Sequence, residues 1–245
     1  MNNSKGFTFT NIKQSLPLPM GEVSAKQTER VDRVRQKYAF TLAEVLITLG
    51  VIGVVSAMTM PTVIKNYQKK VASTRVKSAY SQLLQAVQRS EVDNEEIKSW
   101  DFGLSTVDFT QKYIEPYFKG MTLCTNLTKC PTGISLGHSD RRYFLNNGTQ
   151  IDFRIYQNTV MILIDIDGPK GKNTMGYDWF YFNYNRDLNR IMPYGWFEGI
   201  TKDDIINGKN DVPRCTMDKS LDYYRHGCTA LLMLLGWEMT NEYPW

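Results

Sequence analysis

The sequence is poor in histidine and lacks the common catalytic motifs. It contains only two histidines, His138 and His226, in 245 residues. Neither lies in a GxSxG, HExxH or GxGxxG motif, and there is no phosphate-binding glycine loop. The carboxylate pair Asp203/Asp204 lies in a polar stretch that favours a solvated surface. We therefore expect that this chain is not an enzyme and needs no catalytic cofactor.

The chain also lacks a strong excess of charge. Its net charge is +4, with 42% hydrophobic and 22% charged residues, a composition that is ordinary for a globular protein. The basic residues are concentrated at residues 26–37 and 65–77, on either side of one apolar tract. That arrangement is typical of a membrane segment with charged flanks. A nucleic-acid partner is not expected, since it would require a basic face with interleaved aromatics.

Cysteines are few, and none precedes the apolar tract. The four fall into two local groups, Cys124/Cys130 and Cys215/Cys228. An even number in an exported domain favours disulfides, and four cysteines allow three pairings. We favour Cys124–Cys130 and Cys215–Cys228, because these pairings close the shorter loops. A zinc site is the alternative, but the spacing lacks the CxxC pairs of most structural zinc sites.

Residues 45–64 contain no charged side chain. Twenty residues in a helix extend roughly 30 Å, enough to cross the core of a bilayer. The small residues Gly50, Gly53, Ser56 and Ala57 would permit close approach of another helix. Residues 1–39 are polar and show no sustained apolar period. We interpret them as a cytoplasmic leader that starts at Met1 or Met20.

The predicted helix continues beyond the membrane segment. An apolar stripe with helical spacing runs along one side as far as about residue 95. Pro61 is predicted to kink the helix where its uniformly apolar half ends. The stripe consists of Val76, Tyr80, Leu83, Leu84 and Val87. This gives a leader at 1–39, a transmembrane helix at 40–64, its amphipathic continuation at 65–98 and an extracytoplasmic β-rich domain at 99–245.

Downstream the hydrophobic period changes from helical to alternating. Asn147-Gly148 predicts a two-residue hairpin turn. Strands are predicted at residues 142–145, 150–156, 159–166 and 179–184. Their short connections indicate an antiparallel meander. The apolar run at 229–236 is too short to span a membrane and is predicted to be a buried strand or helix turn. The predicted fold class is α+β, a long N-terminal helix packed on an antiparallel sheet.

The start of the apolar tract carries a specific motif, Lys37-Tyr38-Ala39-Phe40-Thr41-Leu42-Ala43-Glu44-Val45-Leu46. It resembles the cleavage and methylation motif of type IV pilins and type II secretion pseudopilins, in which a basic leader is cut just before a Phe. Ala39 stands where the family usually has Gly. Pro61 lies where the family commonly has a helix-bending proline. The resemblance covers about 30 residues, 37–66.

The resemblance implies a structural function and a set of partners. Prepilin peptidase would cut between Ala39 and Phe40 and methylate the new N-terminus. The carboxylate of Glu44 would pair with the N-terminal amine of a neighbouring subunit, which sets the register of a filament. Other subunits and an assembly platform with its cytoplasmic ATPase would be the remaining partners. The alternative is a single-pass anchored protein that binds carbohydrate or another surface ligand and does not polymerise.

Residues 165–178 carry three carboxylates, one Asn amide and several glycines. Such oxygen ligands suit Ca²⁺. The segment is not an EF-hand, because its glycine comes too early and the closing Glu is absent. It resembles the calcium loop of the major pseudopilins, which implies Asp167, Asn173 and Asp178 as ligands and Asp165 as a weaker one. The alternative is a glycine-rich hairpin loop whose Asp residues only cap turns.

Overall fold

A long helix and a six-stranded antiparallel sheet make up most of the fold, which is α+β as predicted. The computed structural model describes residues 40–124, 141–171, 173–218 and 225–245. By internal contacts the chain divides into two units, Met1–Gly50 and Val51–Trp245. The described part of the first unit holds Phe40, Thr41 and the first turns of helix α1. The remaining elements belong to the second unit.

Helix α1 spans Leu42–Asn94, 53 residues that include Pro61. It is long and apolar enough to cross a membrane, and none of its apolar window is buried. The second half is amphipathic, as predicted. Its buried residues recur every three or four positions, at Ala72, Ser73, Val76, Ala79, Tyr80, Leu83, Ala86, Val87 and Ser90. The helix ends where Glu95 adopts a left-handed conformation, with φ of 62°.

The sheet is a meander in which each strand pairs with the next. Its strands are β1 (Met121–Leu123), β2 (Arg141–Leu145), β3 (Gln150–Tyr156), β4 (Thr159–Asp165), β5 (Trp179–Asn185) and β6 (Arg190–Pro193). The four predicted strands correspond to β2, β3, β4 and β5, with ends that differ by one residue. Sequence reasoning missed β1 and β6, because three- and four-residue strands are too short to show a period.

The amphipathic half of α1 packs on one face of this sheet. Rows of apolar side chains cross the strands in register, such as Phe153, Ile162 and Phe182. The ring of Tyr80 stacks on Phe182 with centroids 4.7 Å apart. Its hydroxyl donates to the carbonyl of Ile191 at 2.7 Å, which satisfies the one polar atom that the contact buries. These contacts fix α1 against β5 and β6.

The turn between β2 and β3 differs from the prediction. Leu145 N donates to Thr149 O at 2.8 Å and Gly148 N to Leu145 O at 2.9 Å, so the loop has three residues instead of two. A two-residue type I′ turn needs positive φ at both central positions, and here only Gly148, at 83°, meets this condition. The Asn147 side chain instead accepts a hydrogen bond from Thr149 N at 3.0 Å, which stabilises the longer loop.

Three short helices complete the fold: α2 (Thr106–Tyr113), α3 (Lys202–Asn207) and α4 (Cys228–Leu234). The apolar run at 229–236 is therefore a buried helix, one of the two predicted outcomes. The predicted bridge Cys215–Cys228 is present, with Cα atoms 4.6 Å apart. Cys130 lies outside the described residues, so the structure does not address the predicted Cys124–Cys130 bridge.

Removing the Cys215–Cys228 bridge is expected to destabilise the domain substantially. The bridge joins residues 13 apart in the sequence. A loop of that size restricts the unfolded chain by about 3 kcal/mol. The double variant Cys215→Ala/Cys228→Ala should lose a comparable free energy of unfolding in urea. An unchanged midpoint and slope would show that the bridge does not stabilise the fold.

Candidate metal centre

The predicted acidic residues lie in the connection between β4 and β5. Asp165 is the last residue of β4, and its side chain is fully buried. Its Oδ1 accepts hydrogen bonds from Gly168 N at 2.8 Å and Asp167 N at 3.3 Å. Its Oδ2 is buried and has no hydrogen-bond partner among the described residues. A buried carboxylate oxygen without a donor is costly, so this atom calls for a cation or another donor.

Two further side-chain oxygens of this loop are buried in the same way. Asp167 Oδ1 and Asn173 Oδ1 are both buried, and neither has a hydrogen-bond partner in the part of the chain that the structure describes. Asn173 has a positive φ of 50°, a conformation that Asn tolerates better than most residues. The three unpartnered oxygens belong to three of the four residues predicted as ligands. All three are acceptors, the type of atom that coordinates Ca²⁺.

Asp178, the fourth predicted ligand, closes the loop. Its Oδ2 accepts from Asn173 N at 2.9 Å and its Oδ1 from Thr174 N at 2.6 Å. These bonds hold residues 173–178 in a tight turn in front of β5. Each carboxylate oxygen has two lone pairs, so both can also coordinate a cation. The loop thus orients Asp178 while leaving it coordination capacity.

Gly171 makes room between two of these carboxylates. A Cβ atom at this position would collide with side-chain oxygens of both Asp167 and Asp178. The two carboxylates therefore converge on the backbone at Gly171. Its φ of −82° is accessible to any residue, so the glycine is required by space and not by backbone conformation.

Burial and neighbouring carboxylates raise the pKa values of Asp165 and Asp178. Burial, and then the neighbouring carboxylates of Asp167 and Asp178, raise the pKa of Asp165 to about 8. Burial also raises the pKa of Asp178, and the charge of Asp167 adds to the effect, against the hydrogen bonds from Thr174 and Asn173. A bound divalent cation would remove this repulsion, since it favours the ionised form of every carboxylate beside it.

The chemistry of these residues fits a hard cation. Within the described ranges, no group of three His, Cys, Asp or Glu side chains is arranged so that it could hold a metal ion alone. The three aspartates are therefore not arranged around a cation in this structure, and a bound ion would have to draw them together with the amide oxygen of Asn173. Such a mixed set of carboxylate and amide oxygens suits Ca²⁺ better than Zn²⁺, which prefers Cys and His.

The C-terminal segment holds the loop from the other side. Tyr243 Oη donates to Gly176 O at 2.6 Å, and Arg225 Nε donates to the carbonyl of Met175. Arg225 Nη2 also donates to Pro244 O at 2.8 Å. A side chain at Gly176 would collide with Cys228, so the bridged helix α4 packs directly on the loop. These contacts position the loop independently of any cation.

A cavity of about 420 Å³ lies beside the acidic loop. Its walls come from α1, from the loop and from the C-terminal residue. The rings of Tyr177 and Trp245 stack on one side with centroids 4.4 Å apart. Arg75 also lines the cavity, and its Nη1 donates to Ile166 O at 3.1 Å. The cavity has both aromatic and charged walls, which suits a small polar ligand.

The described residues of the N-terminal motif lie at the start of α1. Phe40 is 84% exposed, and Ala39 lies outside the described residues. Thr41 and Glu44 form a capping box: Glu44 N donates to Thr41 Oγ1 at 3.2 Å, and Glu44 Oε2 accepts from Thr41 N at 2.8 Å. Pro61 lies inside α1. The motif therefore starts the helix.

Sequence reasoning missed Gly171, Arg225 and Tyr243. Arg225 and Tyr243 lie 50 and 67 residues from their loop partners, so no local pattern could link them. Gly171 was visible as one of several loop glycines, but its role depends on where two side chains converge. Asp165 was predicted to be the weaker ligand, and yet it is the most buried of the four predicted residues. Its position at the end of an apolar strand was the available signal.

Comparison with known families places the chain in one of them. Residues 62–245 match the model of a Family of unknown function (DUF6613), so the chain belongs to that family. The match includes the second half of α1, the sheet and the acidic loop, and it begins after Phe40 and Glu44. No curated protein and no solved structure matches the chain significantly.

Proposed function

We propose that this protein is a pilin-like structural subunit, anchored in a membrane by α1 and assembled through it into a pilus or a secretion pseudopilus. The observation that carries the proposal is the division of α1 into two halves. Residues 42–64 are exposed on nearly every side, although they are apolar. The second half is packed on the sheet. An exposed apolar helix of this length needs a bilayer or neighbouring helices around it.

The sequence at the start of α1 supports assembly over simple anchoring. A carboxylate within a bilayer-spanning helix is costly unless it finds a partner. In the described part of the chain, the Glu44 carboxylate accepts two hydrogen bonds, both at Oε2, from the backbone N and the Oγ1 of Thr41. Oε1 can accept a further bond from the N-terminal amine of a neighbouring subunit. That pairing would set the axial register between subunits.

The acidic loop has a stabilising function in this proposal. Ca²⁺ would be held by Asp165, Asp167, Asn173 and Asp178, and it would satisfy the three buried oxygens that have no hydrogen-bond donor. The ion would fix the β4–β5 connection, which lies against α1 through the contact of Arg75 with Ile166. Ca²⁺ would then add to the contacts from Tyr243 and Arg225 that already position the loop.

Processing of the leader tests the proposal. We expect cleavage between Ala39 and Phe40, so that the mature chain begins at Phe40. N-terminal sequencing and intact mass of the protein from the membrane fraction would measure this. A matched variant, Phe40→Asp, should remain uncut, while Phe197→Asp, at an exposed position in the domain, should be processed normally. An uncut wild-type chain starting at Met1 or Met20 would contradict the proposal.

A second candidate is an anchored binding protein that does not polymerise. The cavity between Arg75 and the Tyr177/Trp245 stack favours it, because its volume would admit a small polar ligand such as a sugar. This candidate shares the membrane anchor with the first. In this second candidate, Glu44 does not pair with the N-terminal amine of another subunit.

A further inference from the structure

A second cavity, of about 370 Å³, lies beside α1 close to the apolar half of the helix. Asn66, Lys69, Lys70 and Ser73 line it from α1, and residues 238–240 line it from the C-terminal segment. Lys69 is half-buried there, and its Nζ donates to the carbonyl of Thr240 at 3.3 Å. That bond uses one of its three N–H donors, so two remain for a ligand.

The cavity carries an excess of positive charge. Lys69 and Lys70 line it, and Lys65 lies one helical turn before Lys69. Burial, and then the like charge of Lys65, lower the pKa of Lys69. Glu238 is the one acidic residue among those lining the cavity. Two lysines and one carboxylate among the lining residues, with Lys65 one turn away on α1, leave a local surplus of positive charge that an anion would neutralise.

The position of these lysines indicates where that anion comes from. Lys65, Lys69 and Lys70 follow the last residue of the apolar run, Ile64, by one, five and six positions. At the rise of an α-helix they lie roughly 2 to 9 Å beyond it. The polar headgroup layer of a bilayer extends about 5 to 8 Å beyond each side of the hydrocarbon core. Lys65 therefore lies within the headgroup layer, and Lys69 and Lys70 lie at its outer edge, from which their long side chains can reach the phosphates.

We infer that this cavity binds the phosphate of an anionic phospholipid headgroup, held by Lys69 and Lys70 with Lys65 beside them. The inference rests on the membrane anchoring of the proposed function. The bound lipid would connect α1, the C-terminal segment and the membrane surface, and would set the depth of the domain before assembly. Lys69 already joins α1 to Thr240, so the ligand would reinforce an existing contact.

Lipid retention by the full chain tests this inference. The protein is purified in detergent with equal amounts of phosphatidylglycerol and phosphatidylcholine, and the bound lipids are counted by native mass spectrometry. The wild type should retain phosphatidylglycerol preferentially. Each lysine near an anionic membrane surface contributes about fivefold in affinity. The preference of the variant Lys69→Gln/Lys70→Gln for phosphatidylglycerol should therefore be about 25-fold lower than that of the wild type.

A matched control is available on the same helix. Lys77 is exposed and does not line the cavity, so Lys77→Gln removes the same charge elsewhere and should keep the preference of the wild type. Equal preference in the wild type and the double variant would overturn the inference. Complete displacement of the lipid by millimolar inorganic phosphate would also overturn it, in favour of a site for free anions. Membrane fractionation tests the anchor separately, since a chain found in the soluble fraction would refute the proposed function itself.

Discussion

Calcium is expected to raise the melting temperature of this protein by roughly 5 to 10 °C. A ligand at about 100 times its dissociation constant stabilises the native state by about 2.7 kcal/mol. For a domain of this size, each kcal/mol corresponds to roughly 2 to 4 °C. The physical cause is that Ca²⁺ would satisfy the buried oxygens of Asp165, Asp167 and Asn173 that have no hydrogen-bond donor. Thermal melts of the full chain in detergent, with Ca²⁺ or with chelator, measure the shift.

Two variants make this test specific to the loop. Asp167→Ala removes a ligand, and Gly171→Ala places a methyl group against the carboxylates of Asp167 and Asp178. Both should abolish most of the shift. Asp187→Ala, at an exposed turn between β5 and β6, is the matched control and should keep it. Identical melts in Ca²⁺ and in chelator, or a full shift in Asp167→Ala, would reduce the segment to a hairpin loop.

The acidic loop also predicts that the stability of the protein in chelator depends on pH. The folded-state pKa of Asp165 is raised to about 8, above the value of about 3.9 for an unfolded chain. The folded state then binds this proton more tightly, so the stability that Asp165 contributes is full below about pH 4 and is lost as the pH rises through about 8. The stabilisation by Ca²⁺ should therefore be larger at pH 8.5 than at pH 5. Asp165→Asn should flatten the dependence in chelator; an unchanged slope would contradict this account.

The second large effect is expected at Glu44. Replacement by Ala or Gln should leave export and membrane insertion intact, because it makes the apolar helix less charged. Both variants should enter filaments poorly when wild-type subunits compete, since neither can pair with an N-terminal amine. The measurement is the ratio of variant to wild-type protein in sheared surface filaments from cells that express both. Under the proposal, that ratio should be at least tenfold lower than in the membrane fraction.

The variant Glu44→Gln tests the negative charge of Glu44 separately from its role in capping the start of α1. Its amide oxygen can still accept the hydrogen bond from Thr41 N, so the start of α1 should be preserved. Glu95→Gln, in the exposed residue just after α1, removes an equal charge and should be incorporated like the wild type. If Glu44→Gln were incorporated equally, the charge-pairing mechanism would be wrong. The anchored-binder alternative predicts that outcome, because it requires no register between subunits.

Much of the fold follows from periodicity. The helical spacing of Val76, Tyr80 and Leu83 predicts the buried face of α1, and all three side chains are buried. The alternation in residues 150–156 and 179–184 likewise predicts two strands, which correspond to β3 and β5. The turn at Asn147-Gly148 was wrong in length, because the dipeptide is compatible with two hairpin geometries. The side chain of Asn147 stabilises the longer one by bonding to Thr149.

The candidate site was only partly predictable. The resemblance to the pseudopilin calcium loop implies Asp165, Asp167, Asn173 and Asp178 as ligands, and the structure places all four in the connection from β4 to β5. The sequence does not indicate that Gly171 makes space between two carboxylates, because that depends on the folded path of the loop. Nor does it indicate that Arg225 holds Met175 in place, because the two residues meet only once α4 has packed on the loop. Long-range contacts of this kind leave no local pattern.

Immunogold electron microscopy of cell surfaces, with antibody raised against residues 99–245, tests the central claim most directly. The proposal predicts label distributed along filaments, and loss of both label and filaments when the gene is deleted. Label confined to the cell membrane, on cells that carry no filaments under any growth condition, would contradict a pilus subunit and leave a pseudopilus subunit or the anchored binder as the function.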